Sequence, residues 1–301
     1  MKVLVFGGAG FLGSYVVDEL IARGYSVTIF DRQNSKWTPA TTDVVVGDIF
    51  DRDAVVRAAA GFDIVYNFAG FADLNASIEQ PVETVTLNVL GNLNVLEACR
   101  STKVAHFVYA SSVYVFSTKG AFYGVSKKAS ELLVEEYRRQ YALNYTILRY
   151  GSVYGERADQ TNRIYRLLRE ALTKGEITFL GNGLEEREYI HGRDAARLSV
   201  DVLAPEYCNA NVMLTGGERY RYKDLLELIR EILDGRVEIA LLDREYKGHY
   251  QLTPYSFAPA IGKKLVCNPS VDFGQGLLEC IQTLCHDLGL VGDLPAVAEH
   301  D

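Results

Sequence analysis

Residues 2–14 read KVLVFGGAGFLGS, and no other segment constrains the architecture as strongly. The first five residues, KVLVF, are mostly apolar and end at a run of glycines, a pattern typical of a buried parallel strand. After Gly13 the apolar residues recur at helical spacing, and a second apolar run, SVTIF, occupies residues 26–30. The segment therefore predicts a strand, a glycine turn, a helix and a second strand within about 30 residues, the start of an α/β fold.

The glycine run fits two related motifs: G-x-G-x-x-G at Gly8, Gly10 and Gly13, and G-x-x-G-x-x-G at Gly7, Gly10 and Gly13. Glycine permits a tight turn here and lets the backbone approach a pyrophosphate at the positive end of the following helix. Asp31 ends the second strand, where a carboxylate bonds both adenine-ribose hydroxyls and repels a 2′-phosphate, so NAD is favoured over NADP. Arg32 weakens that preference, because an arginine there accommodates the phosphate. The alternative is that the glycines form only a turn and Asp31 only ends a strand.

Composition excludes several classes of protein. The 301 residues carry a formal charge of −8, which disfavours nucleic acid or an anionic membrane as a partner. Hydrophobic residues make up 48%, enough for a full core, yet no apolar run reaches membrane-spanning length. The five cysteines form no C-x-x-C pair, and the five histidines show no metal-ligand spacing. We therefore expect a cytoplasmic protein without a metal site.

Strands and helices are predicted to alternate through the first half of the chain. The strand candidates after Phe30 are 43–46, 63–68, 104–110 and 145–149, and the helical candidates are 51–60, 82–101 and 125–141. This alternation predicts an α/β fold with a doubly wound parallel sheet of the Rossmann type. Ligands of such sheets collect at the carboxyl ends of the strands, so Asp48 and the segment 68–70 are expected to face the cofactor.

The second half of the chain predicts a smaller unit. Helices are expected at 160–174, 193–203, 222–233 and 275–288, and a strand at 211–215 is expected to return to the main sheet. We therefore predict an NAD-binding domain of residues 1–151 plus about 190–216. A smaller, discontinuous substrate-binding domain would comprise about 152–189 and 217–301. The cleft between the two domains is the expected substrate site.

Ser112, Tyr123 and Lys127 form the candidate catalytic set. Tyr123 and Lys127 are four residues apart at the start of a helix predicted to begin near residue 124, so they lie on one face. An ammonium beside a phenol is expected to lower the tyrosine pKa from about 10, so that Tyr123 can remove a proton from a sugar hydroxyl. Ser112, after the 104–110 strand, can bond the same oxygen. Outside this context, a Y-x-x-x-K pair is more often an exposed helix start.

Further motifs extend the pattern beyond the glycine turn. They are GGAGFLGS (7–14), GDI (47–49), NFAG (67–70), SIEQP (77–81), NVLGNLNVLEA (88–98), YASSVYVF (109–116), YGVSK (123–127), LRYGSVYG (148–155) and REYIH (187–191). With these motifs the chain closely resembles the extended short-chain dehydrogenase/reductase superfamily. The resemblance is strongest to nucleotide-sugar epimerases and dehydratases of the UDP-glucose 4-epimerase type.

The resemblance implies roles for individual residues. NAD would be held by Gly7, Gly10, Phe11, Leu12, Gly13, Asp31, Arg32, Asp48, Ile49, Phe68, Ala69, Gly70, Asn88, Ala110, Ser111, Tyr123, Lys127, Tyr150 and Val153. Tyr150 and Val153 would close the pocket over the nicotinamide. A nucleotide-diphosphate sugar would contact Ser112, Ser152 and Arg187, with Arg187 at the diphosphate. In this family the helices that match 82–101 and 125–141 pair in a homodimer.

Departures from the family pattern narrow the expected reaction. Val113 and Tyr114 follow Ser112, where many 4,6-dehydratases carry Asp-Glu and decarboxylases usually carry a glutamate. The link from Ser112 to Tyr123 is shorter than in the family, and HYQLTPYSF (249–257) stands where an arginine motif usually grips the diphosphate. The leading hypothesis is an NAD-dependent nucleotide-sugar 4-epimerase, with Tyr123 as base and acid and a transient 4-keto sugar. The alternatives are an NAD(P)-dependent nucleotide-sugar reductase, dehydrogenase or dehydratase and, from another class, a non-catalytic dinucleotide-binding sensor.

Overall fold

The computed structural model describes residues 1–242 and 263–290. In this part of the chain the strands are β1 (Lys2–Phe6), β2 (Ser26–Asp31), β3 (Asp43–Val46), β4 (Ile64–Asn67), β5 (His106–Ser112), β6 (Asn144–Tyr150), β7 (Ser152–Tyr154), β8 (Glu176–Leu180), β9 (Glu186–His191), β10 (Ala210–Leu214), β11 (Arg219–Arg221), β12 (Glu238–Leu242) and β13 (Lys263–Leu265). The α-helices are α1 (Phe11–Ala22), α2 (Arg52–Ala59), α3 (Ala76–Glu79), α4 (Pro81–Val85), α5 (Asn92–Thr102), α6 (Ala121–Tyr141), α7 (Arg163–Lys174), α8 (Gly192–Asp201), α9 (Tyr222–Ile232) and α10 (Phe273–Asp287).

An eight-stranded sheet in the order β13-β10-β6-β5-β4-β1-β2-β3 forms the centre of the molecule. Every neighbouring pair in this sheet is parallel. Strands β4 and β6 are buried almost throughout, as expected for a parallel sheet covered on both faces. The predicted doubly wound sheet is therefore confirmed, and the strand expected at 211–215 returns to it as β10, beside β6.

Helices cover the two faces of this sheet because successive side chains of each strand point in opposite directions. Val3 and Val5 of β1 pack with α1 and α8 on one face. Leu4 and Phe6 of the same strand pack with α2, α5 and α6 on the other. The predicted helix at 82–101 is found as α4 and α5, joined by a π-helical turn at Thr86–Gly91. The turn brings Leu87 to the cofactor pocket described below.

The second half of the chain builds a smaller set of elements around its own core. Strands β7, β9 and β11 form one small sheet, and β8 pairs with β12 in another. Buried apolar side chains of α7, α9 and α10 pack together beneath them, including Leu167, Leu225 and Leu277. The four helices expected here are found, whereas the short strands β7 to β9 and β11 to β13 were not anticipated. The predicted domain boundaries stay a prediction.

None of the helices in residues 1–242 and 263–290 combines the length and the apolar character needed to cross a membrane. The HYQLTPYSF segment, 249–257, lies outside the described residues.

Candidate active site

A pocket lies at the carboxyl ends of four adjacent strands, β3, β2, β1 and β4. Its walls are formed by Gly7, Gly10, Phe30, Asp31, Arg32, Gly47, Asp48, Ile49, Phe50, Phe68, Ala69, Gly70 and Leu87. Most of the residues expected to hold NAD on the adenosine and pyrophosphate side therefore meet in one place. Phe11, Leu12 and Gly13 belong to the first turn of α1, directly after Gly10.

The glycine turn leaves no room for side chains. Gly7 has a φ of +74°, and a Cβ there would lie 2.6 Å from the amide nitrogen of Ala69. A Cβ on Gly13 would lie 2.2 Å from the carbonyl oxygen of Gly7. Helix α1 can therefore begin directly against the end of β1, and its N-cap residue, Gly10, lines the pocket. This backbone cradle fits a pyrophosphate, because the positive end of a helix favours an anion.

Asp31 is held in place at the adenosine side of the pocket. Its Oδ2 accepts a hydrogen bond from the Ala9 N–H at 3.1 Å, which joins the end of β2 to the glycine turn. Arg32 lines the same pocket. Gly47 leaves space for the ring of Phe30, since a Cβ would lie 2.6 Å from the Phe30 Cζ. The donor and acceptor set of this pocket therefore fits the adenosine half of NAD.

A second cleft opens at the carboxyl ends of β5 and β6. It is lined by Ala72, Asp73, Leu74, Asn75, Ser112, Tyr114, Tyr123, Gly151, Ser152, Val153, Thr161, Asn162, Arg163, Ile164, Arg166, Tyr189 and Tyr222. Ser112, Tyr123, Ser152 and Val153, which lie far apart in the sequence, are thereby brought to one cavity. Its far wall comes from the smaller set of elements, through α7, β9 and α9.

Tyr123 lies in the first turn of α6, which begins at Ala121 rather than near residue 124. The Lys127 Nζ lies 5.9 Å from the centre of the Tyr123 ring and donates a hydrogen bond to the Ala110 carbonyl at 2.8 Å. The expectation that the Lys127 ammonium lowers the Tyr123 pKa is wrong for this structure. Burial raises the Tyr123 pKa, and a hydrogen bond with Ser112 acts in the opposite direction.

Lys127 is itself buried, with 6% of its surface exposed. Burial lowers its pKa to about 8, while the negative charge of Glu131 acts to raise it. The Nζ lies 5.0 Å from the centre of the Tyr109 ring, a favourable position for a cation. A cationic Lys127 is therefore available at neutral pH, one helical turn from Tyr123.

The two adjacent serines of β5 face different surroundings. The Ser111 Oγ donates a hydrogen bond to Glu131 at 2.6 Å. Glu131 is held in turn by two bonds from the Arg149 guanidinium, at 2.9 and 2.8 Å, in a buried ion pair. Ser112 instead lines the cleft together with Tyr123. The geometry therefore favours Ser112 over Ser111 as the serine that meets a substrate.

Two residues expected beside the nicotinamide bond to other parts of the protein. Asn88 accepts from the Phe71 N–H at 2.7 Å and donates to the Phe71 carbonyl and to the Ser126 Oγ, so it holds the turn that follows Gly70. The Tyr150 hydroxyl bonds the Ser199 Oγ at 2.6 Å, and Tyr150 is absent from the walls of both cavities. Their roles in NAD binding stay predictions.

Arg187, the expected diphosphate contact, is only 3% exposed and does not line the cleft. Its guanidinium lies 5.6 Å from the centre of the Tyr222 ring, which does line it. Sequence reasoning missed the two arginines that do form part of the wall, Arg163 and Arg166. A signal existed: Asn162 precedes an apolar-periodic segment, as a helix N-cap does, and marks the true start of α7.

A cluster of possible metal ligands was also not anticipated. Glu156, His191 and Glu279 each place one ligand atom within 4.8 Å of the others. The His191 Nδ1 accepts a bond from the Arg193 N–H at 3.2 Å, so its proton resides on Nε2, which faces Glu156 at 3.3 Å. The same side chains form the His191–Glu156 and Arg193–Glu279 pairs within the chain.

Comparison with known proteins agrees with this geometry. The sequence model of the NAD dependent epimerase/dehydratase family matches residues 3–210, which include the glycine turn, Ser112, Tyr123 and Lys127. The chain belongs to this family. It is an NAD-dependent enzyme of the extended short-chain dehydrogenase type, and the expected cofactor, NAD, is confirmed.

Relatives within the family cover nearly the whole chain. A putative UDP-glucose 4-epimerase of Methanocaldococcus jannaschii is 28% identical, over 91% of this chain and 95% of its own. A UDP-N-acetyl-alpha-D-glucosaminuronate decarboxylase of Bacillus cytotoxicus is 26% identical, over 93% and 97%. The solved UDP-glucose 4-epimerase of Thermus thermophilus, a complex with NAD, superimposes with a TM-score of 0.79 at 26% identity, over 94% and 98%. Proteins similar to this chain are therefore named for different reactions on nucleotide sugars.

Proposed function

We propose that this protein is a nucleotide-sugar 4-epimerase that keeps its NAD through each turnover. The observation that carries the proposal is the meeting of Ser112 and Tyr123 in one cleft, with Lys127 on the adjoining turn of α6. A sensor would not need this set. The relatives from Methanocaldococcus jannaschii and Thermus thermophilus, named as UDP-glucose 4-epimerases, support the same reaction class.

In this proposal Tyr123 is the acid and base. Its hydroxyl takes the proton of the sugar 4-hydroxyl and later returns it, while Ser112 bonds the same sugar oxygen. Bound NAD would supply the hydride acceptor and a positive charge beside the phenol. Burial opposes the phenolate, and the Ser112 hydrogen bond acts in the opposite direction. In this proposal the Lys127 ammonium, 5.9 Å from the centre of the Tyr123 ring, acts together with the positive charge of bound NAD to favour proton loss from Tyr123. The 4-keto sugar then turns over within the cleft before C4 is reduced on its other face.

The scarcity of acidic residues in the described wall of the cleft favours epimerisation over elimination or decarboxylation. Among the described residues that line it, Asp73 is the acidic one. Asp73 accepts from the Ala76 N–H at 3.0 Å and lies 3.6 Å from the Arg166 guanidinium, so it is already engaged. Val113 and Tyr114 follow Ser112. The family resemblance implies Asp-Glu there in many 4,6-dehydratases and usually a glutamate in decarboxylases. The described wall therefore holds no unengaged carboxylate for those reactions.

The test is an absorbance spectrum near 340 nm, recorded on purified protein before and after UDP-, GDP-, CDP- and dTDP-sugars are added without cofactor. We expect a partial or transient rise with one sugar and its 4-epimer as the product. Steady oxidation of added NADH or NADPH with a ketosugar, and no epimer, would instead identify a reductase. Carbon dioxide release from a uronic acid nucleotide would identify a decarboxylase.

We also propose a cytoplasmic homodimer that pairs through α4 and α6. Val82 and Val125 are 72% and 66% exposed, and Ile78, Leu90 and Leu132 are also exposed. Covering such a surface with a second copy would remove apolar area from water. Sedimentation should show a dimer in the wild type and a monomer in a Val82→Asp, Val125→Asp double variant. A wild type that stays monomeric at micromolar concentration would contradict this.

A further inference from the structure

The connection between Ser112 and Tyr123 is short, and one of its side chains reaches the cleft. A 3-10 turn, Val113–Phe116, follows β5 directly, and α6 already begins at Ala121. Among residues 113–122, all of which the structure describes, Tyr114 is the one that lines the cleft. Tyr114 is therefore the part of this connection that is placed beside both the substrate and Tyr123.

Two glycines at the start of α6 make room for Tyr114. A Cβ on Gly120 would lie 3.1 Å from the Tyr114 Cβ, and a Cβ on Gly124 would lie 3.2 Å from the Tyr114 carbonyl oxygen. Glycine is a poor helix former, so Gly124 inside the first turns of α6 needs a packing reason. The close approach of the Tyr114 backbone supplies that reason, and Tyr114 is thereby packed directly on the helix start.

The helix start itself is held under strain. Ala121 has a φ of +45°, in the left-handed region that a residue with a Cβ rarely adopts. Such a conformation persists only where the surrounding structure enforces it. Because Ala121 lies between Gly120 and Gly124, we attribute the constraint to the packing of Tyr114 against these two glycines. Without that packing the helix start would relax, and Tyr123, two residues further on, would move with it.

Tyr114 also contacts both members of the proposed catalytic pair. Its ring meets the Tyr123 ring edge-on, with centres 6.3 Å apart and planes at 74°, an arrangement that aromatic pairs favour. Its N–H donates a hydrogen bond to the Ser112 Oγ at 3.3 Å. Because the Ser112 oxygen accepts this bond, its own O–H stays available to donate to Tyr123 or to a sugar oxygen.

We propose that Tyr114 is a positioning residue for Tyr123. Its ring fixes the direction of the Tyr123 phenol, and its backbone fixes Ser112, so that both hydroxyls meet at one sugar oxygen. The inference rests on the function proposed above. Tyr114 itself transfers no proton in this proposal, so its aromatic ring is required and its hydroxyl is not.

The test compares steady-state turnover by the NAD-containing wild type and by variants, with the nucleotide sugar identified by the absorbance panel. Tyr114→Ala should lower kcat about 10- to 100-fold, the effect of a small misplacement of a reacting group, and should change KM much less. Tyr114→Phe keeps the ring and should restore kcat to nearly the wild-type value. Phe122→Ala is the matched control, because Phe122 lies in the same helical turn, is 45% exposed and does not line the cleft. It should keep the wild-type kcat.

A second variant tests the same contact without removing the ring. Gly124→Ala places a methyl group 3.2 Å from the Tyr114 carbonyl oxygen and should displace Tyr114 from α6. We expect kcat to fall in this variant too, although alanine is the better helix former. Gly124→Ala therefore decides the matter if Tyr114→Ala does not fold.

Bound NAD content and urea unfolding of each variant separate positioning from simple support of the fold. If Tyr114→Ala is less stable but keeps the wild-type kcat per NAD-containing enzyme, the positioning role is wrong and the epimerase proposal stands. If Tyr114→Phe loses as much activity as Tyr114→Ala, the hydroxyl acts rather than the ring, and the positioning role is again wrong. If the wild type acts on none of the nucleotide sugars, both proposals are overturned.

Discussion

The cofactor pocket and the substrate cleft lie at the carboxyl ends of one parallel sheet, but backbone atoms shape the first and side chains shape the second. The cofactor pocket lies over β3, β2, β1 and β4 and depends on backbone, with glycines at positions where a Cβ would collide with the chain. The cleft lies over β5 and β6 and depends on side chains contributed by loops, α7, β9 and α9. Where backbone geometry requires glycine, few other residues can replace it. Side chains that line a cleft can be substituted without disturbing the backbone, and such substitutions change which ligand the cleft binds. The cofactor should therefore be the constant part of this fold and the substrate the variable part.

The cleft side is tested most strongly by Tyr123→Phe, because it removes the proposed acid and base and no backbone atom. We expect turnover to fall about 100- to 10,000-fold, the usual contribution of a general acid or base, while NAD stays bound. Tyr141→Phe, near the exposed end of the same helix, is the matched control and should keep full activity. If Tyr123→Phe turned over at the wild-type rate, Tyr123 would not be the acid and base, and the proposed catalytic role of the cleft would be wrong.

The cofactor side is tested by Gly13→Ala, which adds one methyl group where the Gly7 carbonyl oxygen lies 2.2 Å from the new Cβ. We expect a loss of about 1–3 kcal/mol in the free energy of unfolding, as for an overpacked core, together with loss of bound NAD. Urea denaturation and the NAD content after purification measure the two effects. The control is Gly274→Ala in α10, where the nearest atom is the Asp272 Oδ1 at 3.3 Å. A Gly13→Ala protein that retains its NAD would show that the turn is not a cofactor cradle.

Lys127 lies between the two regions, and its burial predicts a pH dependence of stability. The folded pKa of about 8 is below the ordinary 10.5, so between these values the unfolded chain binds a proton that the folded chain has lost. The unfolding free energy should therefore rise with pH in this window, by at most about 1.4 kcal/mol per pH unit. Urea unfolding of NAD-free protein at pH 8 and pH 10 should show this gain in the wild type but not in Lys127→Met. If the unfolding free energy changed equally with pH in the wild type and in Lys127→Met, Lys127 would not be buried as described.

Asp31→Asn tests whether one side chain sets the preference for NAD over NADP in a pocket that backbone atoms otherwise shape. Removing the carboxylate beside Arg32 should reduce the preference for NAD over NADP about tenfold, the value of one charge-assisted contact. Asp43→Asn, at the exposed start of β3, is the control. The measurement is a competition between NAD and NADP, in which the amount of each cofactor bound to the variant is compared with that bound to the wild type. An unchanged ratio in Asp31→Asn would place the adenine ribose away from this carboxylate.

The difference between the regions also explains what the sequence could predict. Strand β1, the glycine turn and Asp31 obey local rules of spacing and backbone shape, so their meeting in one pocket was predictable from 30 residues of sequence. The cleft required contacts between residues far apart in the chain, which a single sequence does not reveal. Arg163 was therefore not singled out, and Arg187 was assigned to a wall that it does not form. The raised Tyr123 pKa was missed for a similar reason, because burial depends on the whole fold.

The central claim is that one sugar carbon is oxidised and reduced within the same closed site. The most direct measurement uses the nucleotide sugar identified by the absorbance panel, labelled with deuterium at C4 and turned over without added cofactor. The account predicts a 4-epimer that retains the deuterium at C4, as seen by mass spectrometry and NMR. An epimer that has lost the label to solvent, or turnover without a 4-epimer, would contradict it.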